Sequence, residues 1–205
     1  MKLNAKELRD VDENEITDKL KTIKRCPMYF ILENIYDTYN IGGLFRLADA
    51  LAIEKIYICG ESEIPPNSKI KKASIGTYKV VPWSYKKTAA EAIIEFRNES
   101  QKFLSRVNSS SEESSSSDTN SRKNFPASSS RVIAVEQSPK SIPYQKADYS
   151  MPVALILGNE TYGITNETLK LADQTVEIPM WGINKSLNVI VSAAIVSYWI
   201  TMAIG

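Results

Sequence analysis

Two kinds of pattern alternate along this chain. Short apolar runs bounded by turn residues recur at 28–34 (MYFILEN), 55–60 (KIYICG), 78–83 (YKVVPW), 131–136 (RVIAVE), 153–158 (VALILG) and 175–180 (TVEIPM). Runs of this length, rich in β-branched residues, predict strands buried on both faces. Between them the apolar period lengthens. In LFRLADALAI, Leu44, Leu47, Ala48 and Leu51 fall on one helical face, with Arg46 and Asp49 elsewhere. A longer helix is predicted from Thr88, a suitable N-cap, to near Arg106, and a short one over 166–173. A last helix, apolar on almost every side, is expected from near Leu187. Strands alternating with helices predict an α/β fold, a mostly parallel sheet with helices on both faces. Ligands of such sheets sit at the carboxyl ends of the strands.

Two stretches leave this pattern. Residues 108–130 are nearly half serine with almost no apolar content, and cannot repay the entropy of ordering, so they are expected to be a disordered surface insertion. Residues 1–25 form a highly charged, weakly amphipathic extension, helical in part. The expected organisation is this extension, 1–25, followed by one domain over 26–205 that carries the insertion.

Composition narrows the chemistry. The chain has 205 residues, 43% of them hydrophobic, enough for one real core. Net charge is +1, so any nucleic-acid surface must come from local clustering. There is no histidine, which removes Ser-His-Asp, Cys-His and HExxH chemistry and histidine general bases. Cys26 and Cys59 lack CxxC or histidine neighbours, so neither a metal site nor a disulfide framework is expected, and the cytoplasm is the expected setting. The charged N-terminus does not read as a signal peptide, and no apolar run is long enough to span a bilayer.

The polar residues of interest gather in three places, each after a predicted strand. ENIYDTYNIGGLFRLADA (33–50) brings Asn40, a Gly-Gly pair and Arg46 to the start of a helix. LILGNETYGIT (155–165) carries Gly158, Glu160 and Gly163. IPMWGINKSLNVIVSAAIV (178–196) places Asn184, Lys185, Ser186 and Asn188 at the mouth of the last helix. The patterns N-x-G-x-x-x-R, L-G-x-E-x-x-G-I and I-P-M-x-G-x-x-x-S-L-N-V, in this order, resemble the three motifs of the SpoU/TrmH-type RNA 2′-O-ribose methyltransferases, members of the SPOUT superfamily. The resemblance covers 28 to about 200, apart from the serine-rich segment. It implies a deep C-terminal trefoil knot that binds S-adenosylmethionine, a homodimer whose active sites are completed by the partner, and RNA as substrate.

Carried over position by position, the motifs assign Leu157, Gly158, Ile178, Met180, Gly182, Ser186 and Leu187 to the cofactor. Catalysis falls to Asn40, Arg46, Glu160, Ser186 and Asn188. Arginine stays protonated, so Arg46 is expected to clamp phosphate and stabilise a developing alkoxide rather than act as a base. Glu160 is expected to accept the proton or to orient Arg46 through an ion pair. Ser186 is also a natural helix N-cap. Trp181 could serve as a lid, a dimer contact or an RNA stacker, and Asn184 has no assigned role. For RNA, 68–87 holds six lysines and no acid, interleaved with Tyr78, Trp83 and Tyr85. From this patch Lys69, Lys71 and Lys72 are candidate phosphate contacts, joined by Lys185 and Arg46. The expected function is 2′-O-methylation of tRNA or rRNA, without a metal. The small architecture favours tRNA. The alternative is a non-catalytic RNA-binding homologue. A dinucleotide-binding dehydrogenase is excluded because no GxGxxG follows the first strand.

Overall fold

The structure, a computed structural model, describes residues 3–10, 20, 22–111 and 130–204. Seven strands form one sheet: β1 (Cys26–Glu33), β2 (Ile53–Cys59), β3 (Trp83–Lys86), β4 (Arg131–Val135), β5 (Ile142–Pro143), β6 (Val153–Leu157) and β7 (Gln174–Glu177). Their order is β3-β2-β1-β6-β4-β7-β5, and every pair is parallel. Among the described residues, six α-helices accompany it: α1 (Ala5–Asp10), α2 (Thr38–Ala50), α3 (Ser68–Ser74), α4 (Ala89–Ser111), α5 (Asn166–Leu169) and α6 (Val189–Ile204).

The pleat sorts strand residues into two cores. Met28, Phe30 and Leu32 join Ile56, Ile58, Leu155 and Ile133 beneath α2, α3 and α6. Tyr29, Ile31, Tyr57 and Ile156 face the other way, against Ala92, Ile93 and Phe96 of α4. Covering both faces explains why these strands are apolar throughout rather than alternating. The Gly-Gly pair lets α2 fit between two neighbours. A Cβ on Gly42 would run into Ala73 of α3, and one on Gly43 into Ile190 of α6. The N-terminal segment lies against the main domain: Leu3 and Leu8 pack on the core, and Gly76, at φ 90°, sits under the Leu8 carbonyl.

Several boundaries differ from the sequence expectation. The run 78–83 is not a strand. Val80 and Val81 donate their N–H groups back to the Thr77 carbonyl and bury their side chains, and the sheet resumes at Trp83 once the Pro82 carbonyl has accepted from Ile56 N. Its apolar residues fill the core as a turn. The 166–173 helix stops at Leu169, because Asp173 is taken by β4: its N–H bonds the Val132 carbonyl and its carboxylate receives Val132 N, both at 2.7 Å. Thr88 does cap α4, in a box with Glu91 that bonds the Lys87 N–H in return. Helix α4 runs on to Ser111, and 112–129, the bulk of the serine-rich segment, lie outside the described residues. Helix α3 and the two-residue β5 were not foreseen.

Candidate active site

The three motifs meet above the carboxyl ends of β1 and β6, which are neighbours in the sheet. The loop after β1 ends at Asp37, whose carboxylate caps α2 by accepting Tyr39 N at 2.8 Å. That cap aims Asn40, 5% exposed, from the first turn of α2 into the junction. Asn40 Nδ2 donates to Glu160 Oε1 at 2.9 Å, and Asn40 Oδ1 accepts from Asn188 Nδ2 at 2.9 Å. One side chain from each motif thus forms a continuous chain of hydrogen bonds, across sequence separations of 120 and 148 residues. The backbone N–H groups of Tyr36 and Asp37 reach the Glu160 carboxylate at 3.4 Å.

Beside this junction a cavity opens at the ends of β4, β6 and β7. Leu157, Gly158, Ile178, Met180, Ser186 and Leu187 line it, together with Glu160, Glu136 and Lys185. Gly158 is required here for a local reason: a Cβ would collide with the backbone of Gly163 and Ile164, which fold back over it. Segment 178–187 makes no backbone–backbone hydrogen bond with any described residue. Its N–H and C=O groups therefore need other partners. With Leu157, Ile178, Met180 and Leu187 as apolar surface and Ser186, Lys185, Glu136 and Glu160 as polar groups, the lining has the mixed character that the adenine, ribose and amino-acid ends of S-adenosylmethionine call for.

Other predicted residues lie elsewhere or act differently. Gly182 is not in the cavity wall, and a Cβ there would touch nothing within 4 Å. Arg46 is exposed on α2 and bonds no described residue. Its expected ion pair with Glu160 is absent, because six helical residues carry it roughly 9 Å along the axis from Asn40 and around to a different side. Helix capping falls to Asn188, whose Oδ1 accepts Ile190 N at 2.9 Å, and not to Ser186. Asn184 gains a contact, its Oδ1 accepting Ser186 N at 3.3 Å. Trp181 is 92% exposed. The basic stretch is divided. Lys69, Lys71 and Lys72 stand exposed on α3, whereas Lys86 is bound to Glu95 and Trp83 packs edge-on to Phe45.

Three residues that organise the site escaped the sequence reading. Asn159 ties two motifs together, donating to the Asn34 carbonyl at 2.7 Å and accepting Thr161 N and Tyr162 N. Glu136, at the end of β4, accepts Ile164 N at 2.9 Å and closes against Gly163. Glu33 is buried beneath, accepting from Thr165 N, Thr165 Oγ1 and Thr168 Oγ1. A lone carboxylate ending an otherwise apolar strand was the available signal for Glu33 and Glu136.

Known proteins resemble this chain in sequence and fold. The SpoU rRNA Methylase family matches residues 27–124 and 116–198. The chain belongs to that family. The two matches meet inside the serine-rich segment. Among relatives, the tRNA (guanosine(18)-2′-O)-methyltransferase of Escherichia coli strain K12 is 24% identical over 170 residues, 82% of this chain and 59% of the relative. The 23S rRNA (guanosine-2′-O-)-methyltransferase RlmB of Vibrio parahaemolyticus is 24% identical over 191 residues, 93% of this chain and 65% of the relative. The chain thus spans about three-fifths of the length of these relatives. In fold it resembles the AdoMet-bound rRNA methyltransferase from Sinorhizobium meliloti, with a TM-score of 0.68 at 23% identity, over 97% of this chain and 60% of that one. Among the described residues, no cluster of His, Cys, Asp or Glu could hold a metal ion, and no helix is long and apolar enough to cross a membrane.

Proposed function

We propose that this protein transfers a methyl group from S-adenosylmethionine to a ribose 2′-hydroxyl of RNA. The observation that carries the reading is the Asn188–Asn40–Glu160 chain of hydrogen bonds, which joins all three family motifs at the edge of a cavity suited to the cofactor. When bound, the cofactor supplies an electrophilic methyl carbon on a sulfonium. The protein must then hold the hydroxyl in line with that carbon and offset the charge left as its proton departs. Positioning alone supplies roughly 7–11 kcal/mol in favourable cases.

Leu157, Ile178, Met180 and Leu187 take the adenine, while the backbone of 178–187 supplies its hydrogen bonds. Ser186 faces the reacting end from the cavity wall. Arg46, exposed on α2, clamps the substrate phosphate and stabilises the forming alkoxide. Glu160, held in the junction by Asn40, receives the proton. The relatives' names point to both tRNA and rRNA, and we favour tRNA.

The reading extends to assembly. Segment 178–188 is taken as part of a trefoil knot. The protein acts as a homodimer in the cytoplasm. Val191, Ile195, Tyr198, Trp199 and Met202 make an apolar stripe on the outer side of α6, and such a stripe suits a partner copy.

Mapping 2′-O-methyl sites in total RNA with and without the gene should reveal at least one lost site. No lost site, with no S-adenosylmethionine binding by calorimetry, would refute the enzyme reading. Arg46→Ala should lower transfer by about 10²- to 10³-fold while leaving cofactor affinity within about twofold. A large loss of cofactor affinity would contradict the role given to Arg46.

A further inference from the structure

A second concavity lies on the other side of the junction, over the ends of β1 and β2. Its wall includes Tyr36, Asp37 and Tyr39 from the β1–α2 loop and Glu63, Asn67 and Lys69 from the approach to α3. The sheet order sets the layout: this groove over β2 and β1, the junction over β1 and β6, the cofactor cavity over β6, β4 and β7. Any strand whose hydroxyl reaches the junction must leave it somewhere, and the groove is contiguous with it through Tyr36 and Asp37, whose N–H groups bond Glu160.

Tyr36 and Tyr39 are half exposed, at 49% and 52%, though a protein normally turns such rings inward or onto a partner. Tyr36 is held in place, at its backbone by Glu160 and at its hydroxyl by Glu61, 2.9 Å away, while Tyr39 is anchored at its backbone N by Asp37. A ring held at its tip, as that of Tyr36 is, gives up little entropy on binding. The charges also divide. Asp37 and Glu63 line the groove, engaged by Tyr39 N and Asn67 Nδ2 respectively, and Glu61 holds the Tyr36 hydroxyl. A phosphate is unwelcome beside these carboxylates, whereas Lys69 lines the same groove and Lys71 and Lys72 are exposed on the same helix.

We propose that the groove takes one unpaired nucleotide next to the methylated one, its base stacked on Tyr36 and Tyr39 and its phosphate at Lys69. The proposal rests on the methyltransferase reading and adds to it a stacking subsite for the base beside the methylated nucleotide. Aromatic stacking tolerates any base but requires one that is out of a helix.

The test uses the full chain with S-adenosylhomocysteine, a fluorescent ten-nucleotide oligouridylate and a ten-base-pair RNA duplex, read by anisotropy. Wild-type protein should prefer the single strand. The Tyr36→Ala/Tyr39→Ala double variant should bind it about 10- to 100-fold more weakly, with duplex affinity unchanged. Tyr36→Phe/Tyr39→Phe should stay within about threefold of wild type, and Lys69→Ala should lower the salt dependence by about one counterion. Equal single-strand binding by the alanine variant, in a protein that binds cofactor and transfers methyl, overturns this proposal alone. So does loss of the oligomer in light scattering, which would make the tyrosines an interface between copies. Wild-type protein that binds neither cofactor nor RNA overturns the methyltransferase reading as well.

Discussion

Glu33 and Glu160 stand at the ends of adjacent parallel strands and are treated by the fold in opposite ways. Glu33 is 5% exposed and fully partnered, by Thr165 N at 2.9 Å, Thr165 Oγ1 at 3.0 Å and Thr168 Oγ1 at 2.6 Å. Since Thr165 also caps α5, Glu33 pins the start of that helix to β1. Glu160 is exposed and has one short bond, from Asn40, with two long ones from backbone. A carboxylate that is itself buried and bonded through both oxygens is committed to structure. One that faces solvent beside a cavity keeps lone pairs for a substrate. The difference separates a structural residue from a chemical one better than residue type does.

Three variants break or sharpen that contrast. Glu160→Ala should reduce methyl transfer by about 10²- to 10³-fold and move the melting temperature by less than about 2 °C. A thermal loss as large as that of the Glu33 variant would erase the distinction. Glu33→Ala strands three donors, two on Thr165, which caps α5, and one on Thr168 within it. It should cost about 2–4 kcal/mol, roughly 4–12 °C in a thermal melt, and unchanged stability would show that water replaces the carboxylate. Asn188→Asp is the subtlest. It preserves the acceptor that caps α6 through Ile190 N but removes the donor to Asn40. Stability should stay within about 0.5 kcal/mol, where Asn188→Ala loses about 1 kcal/mol, and transfer should still fall about tenfold. Full activity in the Asp variant would mean that Asn188 only caps.

Much of this architecture could be read locally. The strands β1, β2, β4 and β6 appear as apolar runs because the sheet is covered on both faces, so no alternation interrupts them. Thr88 announced α4 because capping chemistry is set within four residues. The errors also have local causes. Val80 and Val81 look like strand residues but fill the core as a turn, and Asp173 left its helix for a bond to Val132, 41 residues away. In the site, the motif residues were visible as polar groups at strand ends. Their connections were not. Of the two roles offered for Glu160, pairing with Arg46 is not realised, while Asn40, already a catalytic candidate, is the residue that links the other two motifs.

By itself the sequence determined the central strands β1, β2, β4 and β6, the long helices α2, α4 and α6, the three polar clusters and the exclusion of histidine-based chemistry. These depend on residue type and on spacing within a few turns of chain. Only the tertiary structure decided which polar groups share hydrogen bonds, that Asn188 rather than Ser186 starts the last helix, and that Tyr36 and Tyr39 wall a groove. Those outcomes depend on the order in which parallel strands lie side by side. That order brings residues more than a hundred positions apart to within 3 Å, a distance no local pattern encodes.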